Sequence, residues 1–224
     1  MLENMKALNA AYDFWKDKTS PLNRDSESGH YERWALEIKI LFGTRPIGKV
    51  LEIGCGTGTF YPLLEFDKTD YTGIDISETM LGVFRRNHPV ARLICDSGHA
   101  FKDNNSYDTI FSSTVLQYFD HKMLDLHFRQ AKEMLSAEGM MFCCSIPWRV
   151  HRLSFYSGEM GTPLKRSLRK MIRGYLRSFR GDPLGIWHTP REIEKVASNN
   201  GLTGEYFGSV LYPYRFHAVL SHGE

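Results

Sequence analysis

The chain has 224 residues, of which 42% are hydrophobic and 24% charged, and its formal net charge is +2. That length suits one α/β domain, or one domain with an inserted lid, and leaves no room for two full domains. With no low-complexity tract the composition excludes a disordered protein, and the balanced charge argues against a dedicated nucleic-acid binder.

Met1 to Lys18 mixes Lys, Glu and Asp with apolar residues, so it offers neither a signal-peptide core nor an Arg-rich transit sequence. No window approaches 18 uninterrupted apolar residues, and the expectation is a cytoplasmic protein with no transmembrane segment. Cys55, Cys95, Cys143 and Cys144 show no CxxC spacing, and the adjacent pair would point to opposite faces of a strand. No metal site or disulfide is predicted, and all four read as buried small apolar residues.

Residues 29–43 place Tyr31, Trp34, Ala35, Ile38 and Leu41 or Phe42 at helical spacing, ending at Gly43. A loop with Pro46 and Gly48 leads to the strand-like run Lys49 to Ile53. Strand and helix patterns then alternate: strand Tyr71–Ile76, helix Ser77–Asn87, strands Ala91–Cys95 and Tyr107–Ser112, helix Asp125–Leu135 and strand Met140–Ile146. Such alternation predicts a doubly wound, mostly parallel sheet with helices on both faces. The pattern breaks between Pro147 and Trp187. It resumes at Thr189-Pro190-Arg191-Glu192, where an N-cap, a first-position Pro and an acid at the third position start a helix that runs to Asn199. Glu205–Gly208 and Tyr214–Leu220 alternate in the β manner and supply the last two strands.

In Glu52-Ile53-Gly54-Cys55-Gly56-Thr57-Gly58 a strand runs straight into a glycine turn that lets backbone approach a ligand closely. The spacing is GxGxG, and Thr59 stands where the third glycine of a dinucleotide fingerprint belongs. An acid such as Glu52 ahead of the glycines is repulsive beside a pyrophosphate and suits the ammonium of a methionyl tail. Asp75 follows Gly54 by 21 residues, at the end of the second strand, where a carboxylate can accept bonds from ribose hydroxyls. Asp96, past the third strand, is placed for an adenine amino group.

The runs VLEIGCGTGTF, GIDISETML, ICDS, YDTIFSSTVLQYF and AKEMLSAEGMMFCCSIP, over about residues 48–147, resemble the class I S-adenosylmethionine-dependent methyltransferases, particularly their small-molecule branch. The resemblance implies that Gly54, Cys55, Gly56 and Gly58 pack against the methionyl moiety with Glu52, and that Asp75 holds the ribose. It further implies that Ile76 and Met80 flank the adenine, that Asp96 and Ser97 meet its edge, and that Ser113 and Thr114 face the methyl group. The product would be S-adenosyl-L-homocysteine. Where this branch often carries a His after the fourth strand, this chain reads Val115 to Phe119, so the candidates for a general base are His188 and His30, chosen over His151 and His217 because their segments would cover the pocket.

Residues 165–180, KRSLRKMIRGYLRSFR, hold seven basic residues and no acid, with Leu168, Met171, Ile172, Tyr175, Leu176 and Phe179 at helical spacing. This basic amphipathic helix reads first as a lid with solvated arginines, next as a reader of an anionic small molecule, and third as an RNA contact. Tyr31, Tyr118, Arg169 and Arg173 are the candidate acceptor contacts, while Tyr12, Trp15, Trp34, Trp148, Tyr156 and Trp187 read as core or pocket wall. The expected layout is one methyltransferase domain with a seven-stranded sheet: a helical cap over 1–43, a cofactor core over 48–147, a lid insert over 148–187 and a final helix and strands over 188–224. The expected reaction is methyl transfer to oxygen or nitrogen of a small, anionic metabolite, with an RNA or protein methyltransferase or a non-catalytic scaffold as alternatives. No oligomeric state is assigned.

Overall fold

A computed structural model describes residues 29–157, 182 and 184–223. Tyr12, Trp15 and the basic segment 165–180, with Arg169 and Arg173, lie outside the described residues.

Seven strands, β1 (Val50–Ile53), β2 (Tyr71–Asp75), β3 (Arg92–Cys95), β4 (Tyr107–Ser113), β5 (Leu135–Pro147), β6 (Leu202–Gly208) and β7 (Arg215–His222), form one sheet in the order β3-β2-β1-β4-β5-β7-β6. All neighbours run parallel except β7, which is antiparallel to both β5 and β6. The chain winds outward from β1 to β3 and then returns to place β4 on the other side of β1. The crevice between β1 and β4 is therefore the topological switch point, where ligands of open α/β sheets bind.

Among the described residues the α-helices are α1 (His30–Phe42), α2 (Phe60–Leu63), α3 (Glu78–Asn87), α4 (His121–Met134), α5 (Arg152–Ser157) and α6 (Pro190–Asn199). Because a strand alternates its side chains, β1 feeds two cores. Leu51 and Ile53 pack with Phe128 of α4 and Ile193 of α6, and Val50 packs with Ile38 and Phe42 of α1 and Phe84 of α3. Cys143 and Cys144 divide between these two cores in the same way. Cys95 departs from the expectation of burial: it is exposed at the end of the edge strand β3, which has only β2 beside it.

The helix starts are chemically explicit. Ser77 Oγ accepts from Met80 N, Asp120 accepts from Lys122 N and Met123 N, and Thr189 with Glu192 forms a reciprocal capping box ahead of α6. Asp120 explains why α4 begins at His121, earlier than apolar spacing alone suggests. The strand expected at Met140 instead starts at Leu135, directly from the end of α4. The insert carries the short helix α5 at its start. Among the described residues no helix is long and apolar enough to cross a membrane.

Candidate functional site

The glycine turn leaves β1 in left-handed backbone, with φ of 74° at Gly54, 54° at Gly56 and 82° at Gly58. Two of these glycines are also sterically required. A Cβ on Gly54 would lie 2.3 Å from Val115 Cγ2, and one on Gly58 would lie 2.6 Å from the ring of Phe84. The first contact joins the turn after β1 to the segment after β4, across the switch point.

Asp75 stands at the carboxyl end of β2 beside this turn. Its Oδ2 accepts from Gly56 N at 2.9 Å and its Oδ1 from Ser77 N at 2.8 Å. Burial raises the Asp75 carboxyl above its usual range, and the main-chain donors of Ser77, Gly56 and Ile76 oppose that shift. Asp96 N donates to the Asp75 carbonyl, Asp96 Oδ1 accepts from Ser97 N, and Ser97 Oγ meets His99 Nδ1 at 2.6 Å. Met80 is buried, with its Sδ 3.7 Å from where a Gly56 Cβ would be, and Ile76 is half-buried. Gly54, Gly56, Asp75, Ile76, Met80, Asp96 and Ser97 are thus brought to one edge.

Glu52 is placed differently from an ionised acid facing a ligand. It lies inside the sheet, where its Oε2 accepts from Tyr71 Oη at 2.6 Å. Desolvation pushes its pKa from 4.5 to about 8, the Tyr71 hydrogen bond opposing that rise and Asp75 adding to it. Cys55 is buried beside this pair, its thiol pushed up by burial and by Glu52.

Past β4, Ser113 is buried with its hydroxyl unpartnered among the described residues. Thr114 holds φ of 59°, with its N–H on the Cys144 carbonyl and its Oγ1 on the Ser113 carbonyl. A β-branched residue in that region is strained, and strain collects where a backbone position is functionally constrained. Tyr118 is half-buried against the α4 and α6 core.

The two histidine candidates occupy different settings. His188 is buried and its Nε2 meets the Leu116 carbonyl at 3.0 Å, which ties the segment after β4 to the end of the insert; desolvation holds its pKa below the usual value. His30 Nε2 meets Tyr212 Oη at 2.5 Å, and the His30 ring packs edge-on against Tyr31, Trp34 and Tyr212. Trp34 stands 5.3 Å from Phe60, the first residue of α2 after the glycine turn.

Sequence patterning missed three groups. The first is an aromatic row that continues from Trp34 and Tyr212 through Tyr214 to Phe155 and Trp187, with Phe155 and Tyr214 centroids 4.5 Å apart. The second is Asp182, which accepts from Trp187 Nε1, Tyr156 Oη, Arg152 Nε and Leu184 N and so fixes the far end of that row. The third is Arg215, buried at the start of β7 with Nη1 on Gln117 Oε1 at 2.9 Å and on the Ser145 carbonyl. Periodicity could not find these, because each depends on residues far apart in the chain meeting at the sheet edge. A second concavity, lined by Arg45, Pro46, Gly48 and Asp108, opens at the opposite, amino ends of β1 and β4. Its acid is already engaged by Lys49 N and Ser136 Oγ.

Residues 50–139 match a family model described as a methyltransferase domain. Among solved structures, DhpI in complex with S-adenosylhomocysteine aligns with a TM-score of 0.67 at 15% identity, over 97% of each chain. The magnesium protoporphyrin IX methyltransferase of Synechocystis PCC 6803 with bound S-adenosylhomocysteine aligns at 0.63 and 15%, over 96% of this chain and 97% of that one. The plantazolicin methyltransferase BpumL, in complex with a triazolic desmethyl analogue and S-adenosylhomocysteine, aligns at 0.62 and 18%, over 98% and 91%. A search of curated proteins gives no match. The strand order and the glycine turn at the switch point are those of the fold these solved methyltransferases share, and residues 50–139 carry the match to the methyltransferase domain model.

Proposed function

We propose that the protein transfers a methyl group from S-adenosylmethionine to an oxygen or nitrogen of a small molecule. The observation that carries this reading is the Asp75 carboxylate, fastened by main-chain donors at the carboxyl end of β2 beside the glycine turn. A carboxylate so held fits a ribose diol, since its oxygens accept from hydroxyl donors. The left-handed turn at Gly54 to Gly58 fits a methionyl tail lying against bare backbone. Ile76 and Met80 offer an apolar seat for adenine, and Asp96 and Ser97 its polar edge.

When bound, S-adenosylmethionine supplies a methyl on a sulfonium, ready for in-line displacement. The work left to the chain is orientation and exclusion of water. Ser113 and Thr114 present the strained backbone after β4 to the reacting centre. The aromatic row from Phe60 to Trp187 walls the acceptor side. Where the acceptor is an alcohol or phenol, His30, paired with Tyr212, is the base closest in character to the task. His188 acts by positioning, its Nε2 fixing the Leu116 carbonyl next to Gln117. Similarity to a magnesium protoporphyrin IX methyltransferase and to a plantazolicin methyltransferase in complex with a triazolic desmethyl analogue favours a small-molecule substrate over RNA or protein.

Incubation with methyl-labelled S-adenosylmethionine and a cell extract tests the reading. Label in the low-mass fraction supports it, whereas label confined to RNA or protein, or no transfer at all, contradicts it.

A further inference from the structure

We infer that Arg215 is the anchor for an anionic group on the methyl acceptor, so that the substrate is an aromatic or apolar molecule bearing a carboxylate or phosphoryl oxyanion. The inference rests on the methyl-transfer reading for its choice of pocket. It is carried by a buried charge that the described residues do not neutralise.

Arg215 is only 6% exposed, yet no carboxylate lies within ion-pairing distance of it among the described residues. Its partners are neutral: Gln117 Oε1, the Ser145 carbonyl and the face of Tyr214, 5.4 Å from ring centroid to guanidinium carbon. A guanidinium remains charged in any protein setting, and a buried charge without a counter-ion is strongly unfavourable. Both contacts made by its side-chain donors use Nη1. Nε and Nη2 remain, and these form the edge of the guanidinium fork that matches an oxyanion in two parallel bonds. Glu37, the acid of the adjoining cluster, is spent elsewhere: it accepts from Val210 N and Ser209 Oγ and lies 3.5 Å from His217 Nε2.

The place is the acceptor side of the sheet edge. Arg215 pairs with Pro147 at the carboxyl end of β5, and Gln117 follows the strained Thr114 by three positions. Ser145 itself holds φ of 62° at the bulge in β5, and its buried hydroxyl, like that of Ser113, has no partner among the described residues. A cation held by neutral acceptors, two idle hydroxyls on neighbouring strands and an aromatic row passing through Tyr214 together describe a receptor for an anion attached to an apolar body.

The test uses the full chain with S-adenosylhomocysteine added, its binding measured first, and titrates benzoate, phenylphosphonate and the uncharged control benzamide. The expected result is at least tenfold tighter binding of one or both anions than of benzamide, with the better anion naming the oxyanion class. Arg215→Gln should erase that preference. Gln117→Glu should erase it too, by supplying an internal counter-ion, and should raise the melting temperature, so the test stands even if the Arg215 variant fails to fold. Equal binding of all three probes, binding of none, or an anion preference that survives both substitutions would overturn the inference. Failure of S-adenosylhomocysteine to bind counts against the methyl-transfer reading alone, and the anion titration is then read without it.

Discussion

Tyr71 Oη donates to Glu52 Oε2 at 2.6 Å in the interior of the sheet, directly beneath the glycine turn. This pair turns a residue of the sequence motif into a structural one. Folded Glu52 keeps its proton up to about pH 8, whereas unfolded it releases the proton near 4.5. Between those values the unfolded chain binds fewer protons than the folded one, so stability falls as pH rises through that window and is level on either side.

Glu52→Gln should remove this slope. The amide can still accept from Tyr71 and has no charge to desolvate, so the variant should unfold at higher temperature than the parent at pH 8 and at a similar temperature near pH 4.5. Melting curves of the ligand-free chain across pH 4.5 to 9 check this; parallel profiles for the two chains would show that Glu52 is ionised in the fold.

Gly58 is where the motif and the core meet. Alanine there must hold φ of 82° and place its Cβ 2.6 Å from Phe84, which is fully buried and has nowhere to retreat. Left-handed strain and overpacking together should cost about 2–5 kcal/mol. Urea denaturation of Gly58→Ala measures it, and a midpoint unchanged from the parent would mean that the turn is looser than described.

Asp182 gathers four donors, from Arg152, Tyr156, Leu184 and Trp187. Asp182→Ala leaves buried Trp187 Nε1 without its acceptor and should destabilise the chain by about 2–4 kcal/mol, since an orphaned buried donor loses more than the bond it made. The same variant should weaken acceptor turnover more than S-adenosylhomocysteine affinity, because its partners wall the acceptor side. Equal losses in both would place the knot at the cofactor instead.

The strand-and-helix alternation was legible because most strands are short apolar runs and because Ser77 and Thr189 cap the helices they precede, whereas Asp120 opens α4 ahead of the start that apolar spacing suggests. The gathering of four residues at one edge was legible for a related reason: Gly54 and Gly56 follow β1, Asp75 ends β2 and Asp96 follows β3, so local order dictates shared position. The pairing of Glu52 was not legible because sequence does not reveal which way a strand residue points, and here it points toward Tyr71. The acceptor side was illegible for a deeper reason. Arg215 meets Gln117 across 98 positions of chain, and His30 meets Tyr212 across 182, contacts that only the folded sheet creates.

The central claim is that this edge holds S-adenosylmethionine through Asp75, and calorimetric titration of S-adenosylhomocysteine tests it most directly. The account predicts one site per chain in the parent and a 10- to 100-fold loss of affinity in Asp75→Asn, equivalent to about 1.5–3 kcal/mol for charge-assisted hydrogen bonds to the ribose. Absence of binding to the parent, or equal affinity in the folded Asp75→Asn chain, would contradict it.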